Sequence, residues 1–174
     1  MKWETELTEI SLVFPELVRY VTDGFEAETR CSRNGGESVP FLGPSTGGWR
    51  YQITQEVPVT LKVEAGASRV EIDLRDVRAT YIELSTGASS TDITLPARGA
   101  SILDVEAGAA SVNIRVPEST AARVRVKEGV VALTVDTSRF PQLDSGMYQS
   151  PNFDSATDRT EINVEAGLGA VSVK

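Results

Sequence analysis

The stretch LKVEAGASRVEIDL, residues 61–74, recurs along the chain with few changes. It returns as LDVEAGAASVNIRV at residues 103–116, and INVEAG stands at residues 162–167. Four equally spaced glycines set a period of 21 residues: Gly66, Gly87, Gly108 and Gly129. Repeats of this length are typical of proteins built from stacked structural units.

Apolar and polar residues alternate on both sides of each glycine. The column three residues before it contains Val63, Leu84, Val105 and Val126. The column six residues after it contains Ile72, Ile93, Ile114 and Val135. A period of two indicates half-buried β-strands. Each repeat therefore predicts two short strands, joined at a tight corner near its glycine.

A step of 21 residues that returns the same residue types to the same places predicts an all-β fold. We expect a single-stranded β-helix, or β-solenoid, of about five coils with two strands per coil. The fifth coil, around Gly167, follows an insertion at residues 137–160. If the coils stack in chain order, the last strand ends the sheet as an open edge.

The segment before the repeats predicts a cap. Trp49 to Ile53 fit a half-coil, and Pro15 to Asp23 fit a short helix that ends at Gly24. We therefore divide the chain into a cap segment at residues 1–48 and a solenoid domain at residues 49–174, which contains the insertion.

The composition excludes several classes of function. The net charge of −8, from 25 acidic and 17 basic residues, disfavours binding to nucleic acid. With no histidine and one cysteine, Cys31, the chain offers no internal disulfide, no usual zinc site and no Ser-His-Asp or Cys-His catalytic group. We expect Cys31 to be an inert residue. The apolar run from Ile10 to Phe14 is too short for a membrane span.

The polar columns predict a solvated surface. Opposite charges should pair across neighbouring coils, at Lys62 with Glu83 and at Asp104 with Arg125. Carboxylates that cleave sugars are known in β-helix folds, but Glu64, Glu106 and Glu165 fit a solvated face better. Oxygen-bearing side chains in the insertion lack the spacing of a calcium loop: Asp144, Asn152, Asp154 and Asp158. We therefore predict no enzyme activity, no metal and no cofactor.

The sequence resembles a known bacterial family. The resemblance rests on SRVEIDLRDV at residues 68–77, on ITLP and VNIRVP in the next two repeats, and on INVEAGLGAVSV at residues 162–173. These motifs are similar to the C-terminal domain of LiaF-like, cell-wall-active-antibiotic-response proteins and to the "putative adhesin" domains called toastrack domains. The resemblance covers Trp49 to Lys174. It implies a soluble part of a membrane protein in the cell envelope, with a role in the stress response; without it, a cytoplasmic location is expected.

These observations favour a non-catalytic scaffold or protein-interaction module, which the resemblance connects to cell-envelope stress sensing. The alternative is a glycan-binding or glycan-cleaving β-helix. We expect a protein partner, or self-association, through a sheet edge. The candidate interaction surface lies in the insertion and the last strand: Phe140, Tyr148, Phe153, Val171 and Val173.

Overall fold

The computed structural model describes residues 8–14, 17–21, 32–34, 48–50, 53, 55, 57–66, 69–127 and 130–174. These residues form an all-β fold, without a helix. The strands in chain order are β1 (Thr8–Phe14), β2 (Leu17–Val21), β3 (Ser32–Asn34), β4 (Gly48–Arg50), β5 (Val59–Ala65), β6 (Arg69–Asp73), β7 (Ala79–Thr86), β8 (Ser90–Thr94), β9 (Ala100–Arg115), β10 (Ala121–Val126), β11 (Val130–Val135), β12 (Gln142–Asp144), β13 (Met147–Gln149) and β14 (Arg159–Val173).

Twelve of the strands form one sheet with two branches. The first branch has the order β2-β1-β5-β7-β9-β14-β10-β13-β12. The second branch has the order β6-β8-β9-β14-β11. The long strands β9 and β14 run through both branches, so they hold the two branches together.

The repeated apolar columns form the core, as the sequence predicts. Leu84 pairs with Val63 on one side and with Val105 on the other, and all three are buried. Ile93 and Ile114 of the second branch are also buried and belong to the same core cluster. The two branches therefore face each other across a common core, and each fully buried aliphatic side chain contributes about 1.5–3 kcal/mol.

The order of the strands differs from the expected stacking. The last strand, β14, does not lie at an edge, because it pairs in parallel with β9 on one side and with β10 and β11 on the other. Val164 accordingly lies between Val105 and Val126. The prediction that the last strand forms an open edge is wrong, since the chain crosses back and places β14 between two earlier strands.

The position of β14 also determines which charged side chains pair across neighbouring strands. Lys62 Nζ lies 2.7 Å from Glu83 Oε1, which confirms the first predicted pair. The second is wrong, because Asn163 of β14 lies between Asp104 and Arg125. The Asn163 amide donates to Asp104 Oδ1 at 2.7 Å.

The helix expected over Pro15 to Asp23 is wrong as well. Leu17–Val21 form β2, which pairs antiparallel with β1. This segment contains two valines and a tyrosine, which favour strands, and a helix of this length has little stability of its own. Gly24, the expected end of the helix, lies outside the described residues.

The strand that lies beside the first repeat is also formed by a different segment of the sequence than expected. Trp49 and Arg50, which we assigned to a half-coil, belong to β4, which pairs antiparallel with β3 in a separate two-stranded sheet. The position next to β5 belongs instead to β1, which is parallel to it from Thr8 to Phe14. The main sheet thus includes residues from the segment that we expected to be a cap.

Candidate interaction surface

The insertion extends the first branch beyond β10. Its strand β13 pairs antiparallel with β10, with Tyr148 opposite Val124, and β12 adds one further strand. Phe140 is fully buried in the core, and Tyr148 is partly buried against it. The insertion therefore folds back over the apolar core and covers an edge of the sheet.

Arg123 fixes the insertion to β10. Its guanidinium donates to Gln149 Oε1 at 2.6 Å and to Asp154 Oδ1 at 2.8 Å, and it lies 4.2 Å above the ring centre of Phe153. Phe153 is only 3% exposed, so this contact takes place in a largely dry environment. Ser150 adds a backbone bond to Ala122 at 2.8 Å. The insertion is therefore a structural clasp on β10.

The predicted surface residues fall into two separate groups. Phe140, Tyr148 and Phe153 belong to the clasp, whereas Val171 and Val173 lie in β14 and are 1% and 0% exposed. Both valines pair with β9 and with β11. Their backbones are thus enclosed by two neighbouring strands, and a role of the five residues in partner binding stays a prediction.

The outward face of the first branch carries a row of interacting polar side chains. The Tyr81 hydroxyl donates to Asp104 Oδ2 at 2.6 Å, and this bond raises the pKa of Tyr81 to about 12. Hydrogen bonding to Glu83 likewise raises the pKa of Lys62. Each of these groups is thus paired with a polar side chain on a neighbouring strand.

A groove of about 680 Å³ follows the corners of the coils. It is lined by three carboxylates, Glu64, Glu106 and Glu165, together with Ser85 and the corner glycines. Glu165 Oε2 lies 2.6 Å from Lys127 Nζ, which neutralises one of the carboxylates. Within the part of the chain that the structure describes, no group of three or more acidic or cysteine side chains is placed to hold a metal ion.

The acidic residues of the insertion have structural partners. Asp158 Oδ1 accepts from the backbone N–H of Gly99 at 2.7 Å, and Asp144 Oδ1 accepts from the backbone N–H of Ser145 at 2.7 Å. Asp154 binds Arg123. These contacts explain the carboxylates as elements of the clasp and its turns. Cys31 lies outside the described residues.

The sequence reasoning missed the actual end of the second branch. Among the described residues, β11 has β14 as its neighbour on one side and no strand on the other. Its sequence, VVALTV, contains no charge and no proline, the residues that commonly protect an exposed edge. This signal was visible in the sequence, but it became meaningful only with the true strand order.

The fold and its surface define an all-β domain of mainly parallel strands whose polar side chains pair along the surface. A family model, the N-terminal domain of toast_rack (DUF2154), matches residues 13–115, and the chain belongs to this family. The match begins well before Trp49, where our sequence resemblance began. No curated protein matches the chain.

A solved structure shows the same fold. It is the crystal structure of a "putative cell adhesion protein" from Clostridium sporogenes ATCC 15579, with a TM-score of 0.68 and 14% sequence identity. The similarity covers 97% of this chain and 88% of the other. In the residues described for this chain, no helix has the length and apolar character needed to cross a membrane.

Proposed function

We propose that this domain is a non-catalytic protein-interaction module of the bacterial cell envelope, with a role in the envelope stress response. Its fold is a β-solenoid of about five coils, which provides a rigid support for surface contacts. Membership of the toast_rack family and the fold shared with the adhesion-type structure support this function.

The pairing of polar side chains is the observation that carries the proposal. The charged groups of the outward face bind each other across neighbouring strands, as in Lys62 with Glu83 and Arg125 with Glu161. A catalytic carboxylate pair needs two groups that face one substrate. A surface of mutually satisfied groups instead suits recognition of another macromolecule, in which shape and exposed backbone decide the affinity.

Photo-crosslinking in cells tests the proposal. A benzoylphenylalanine at Ile102 places the crosslinker on the first branch, one at Ser111 places it in the middle of the second branch, and one at Thr134 places it on β11, the end strand of the second branch; all three positions are exposed. We expect one envelope protein to be captured from one of these positions and not from the others. Uniform labelling from all three, or none, contradicts the proposal.

The location is tested with a single cysteine. In a Cys31→Ser background, Ser145→Cys places a thiol on the exposed turn between β12 and β13. A maleimide that does not cross membranes should label this thiol in intact cells as fully as in lysed cells. Labelling only after lysis would place the domain in the cytoplasm.

The glycan alternative has one observation in its favour. Tyr81 is an aromatic side chain on the outward face of the first branch, and Asp104 and Asn163 lie beside it. Sugar binding commonly needs an aromatic surface and such polar groups. Binding to a glycan array that is lost in Tyr81→Ala would support this alternative, and glycan cleavage lost in Glu106→Gln would overturn the non-catalytic proposal.

A further inference from the structure

The two branches of the sheet end at different levels. Beyond the coil formed by β10 and β11, the first branch continues with β13 and β12, whereas the second branch ends at β11. At the spacing of about 4.8 Å between strands, this leaves a step about 10 Å wide opposite β13 and β12. Among the described residues, no strand occupies this step.

The apolar side chains at this step are incompletely covered. Leu133 and Val135 of β11 are partly buried against the core, whereas their neighbours on β14, Val171 and Val173, are buried. In the same coil, Val124 of β10 is fully buried where β13 covers it. One more strand beside β11 would cover Leu133 and Val135 in the same way.

The backbone at the step has hydrogen-bonding capacity that the described residues do not use. The N–H of Asp136 donates to Val173 O of β14 at 3.0 Å. Because alternate residues of a strand point their N–H and C=O groups to opposite sides, Thr134 also faces β14, and Leu133 and Val135 face away from it. Their N–H and C=O groups form a free edge beside an apolar surface.

Two of the other ends of the sheet are protected. At the opposite end of the second branch, β6 carries three charges in five residues, Arg69, Glu71 and Asp73. The outermost strand of the first branch, β12, has three residues and an irregular register. Such features discourage the addition of a further strand, and β11 has none of them.

We infer that β11 is a docking site for one extended segment of a partner protein, which adds to the second branch as a further strand. The segment would alternate apolar residues, which face Tyr148 and the core, with polar residues on the outside. This inference rests on the proposed function and specifies its binding surface.

A second copy of this domain does not fit the step. If the β11 strands of two copies paired, β13 and β12 of each copy would occupy the space of the other copy's β10. The reason is that β13 and β12 project two strand widths beyond the level of β11. An isolated strand or a hairpin is at most two strands wide. The shape of the step therefore selects a separate segment of another protein.

Hydrogen exchange of the free protein tests the edge directly. The amides of Leu133 and Val135 should exchange at least about 100-fold faster than those of Ala132 and Thr134, since only the latter pair face β14. Equal protection of the four amides would overturn the inference, because the edge would then already be covered.

Synthetic strands then test the docking. The probes are fluorescent peptides that copy the second-branch strands, at residues 69–74, 90–95, 110–116 and 169–174. At least one should bind below about 1 mM and slow the exchange of Leu133 and Val135. Failure of all four probes would overturn the inference.

N-methylated peptides provide a control that leaves the protein unchanged. Methyl groups on the alternate amides that face β11 should weaken binding at least about 10-fold, and methyl groups on the other amides should have no effect. Equal effects of the two sets would show binding by side chains alone and would refute strand addition.

A matched pair of protein variants completes the test. Val135→Pro removes an edge donor and should weaken binding of the best probe at least about 10-fold while the domain stays folded. Thr134→Pro removes a bond to β14 and should lower the melting temperature.

The crosslinking experiment distinguishes the proposed function from the β11 site. If crosslinking captures a partner from Ile102 but not from Thr134, the proposed function is supported and the β11 docking site is refuted. If glycan cleavage is found, the proposed function falls while peptide binding at β11 is still decided by the probes.

Discussion

Gly169 is the position at which the order of the strands can be tested by a single methyl group. It lies in β14 with φ of +135°, a conformation that side chains strongly disfavour. A Cβ atom at this position would overlap the carbonyl oxygen of Ala110 in β9. Gly169→Ala therefore requires β14 to move away from β9.

The expected cost follows from these two facts. The disfavoured backbone conformation costs about 1–3 kcal/mol, and the forced separation of two packed strands costs about 1–3 kcal/mol more. We expect a total loss of about 4 kcal/mol from an unfolding free energy of about 5–15 kcal/mol. Gly66→Ala is the matched control: apart from its chain neighbours, no heavy atom of the described residues lies within 4 Å of its added Cβ, so we expect a change between zero and a gain of about 1 kcal/mol.

Urea unfolding, followed by tryptophan fluorescence and by far-UV circular dichroism, measures both variants. With a slope of about 2 kcal/mol per molar urea, Gly169→Ala should lower the midpoint by about 2 M, and Gly66→Ala should leave it unchanged or raise it slightly. If Gly169→Ala costs less than about 1 kcal/mol, β14 does not lie against β9 as described, and the reasoning fails. Equal losses in both variants would show a general effect of removing glycine.

Three further predictions concern single side chains. Thr86→Val should raise the unfolding free energy by about 1 kcal/mol in urea titrations, because the Thr86 hydroxyl is buried without a hydrogen-bond partner among the described residues; a loss would reveal a partner. Since the folded-state pKa of Tyr81 is about 12, above its ordinary value of 10.0, its bond to Asp104 should stabilise the fold fully below pH 10 and lose this effect as the pH rises to about 12; Tyr81→Phe should remove this part of the pH dependence. Arg123→Ala should lower the unfolding free energy by about 2 kcal/mol and speed amide exchange in the insertion around Phe153; unchanged exchange there would contradict the clasp.

The strands and the core could be predicted from the sequence because a period of two fixes which side chains face inward. The order of the strands could not, because every coil presents the same alternation, so any coil can lie beside any other with its apolar side chains facing the core. Two residues do distinguish the last strand from the strands of the other coils. Asn163 interrupts a column of charges, and Gly169 stands where the other coils have serine, alanine or valine; both belong to β14 and contact β9.

The candidate site depends on this order, which is why the sequence predicted an edge in the wrong place. Periodicity identifies strands, whereas an edge is defined by a missing neighbour. The N-terminal strand β1 shows the same limit: its alternation is plain in Thr8–Phe14, but only the parallel pairing with β5 reveals that it extends the main sheet.

The position of β14 connects the stability of the domain with the proposed docking site. Because β14 pairs with β9 and also with β10 and β11, the last coil in space is held to the core by the last strand in sequence. Within that coil and among the described residues, β10 has a neighbour on both sides, whereas β11 has one, so β11 should open more easily than β10. A strand that binds beside β11 would supply the missing neighbour, and the binding free energy would stabilise this coil in particular. Docking should therefore be observed as local ordering of β11, and the structure of β9 and β14 should not change.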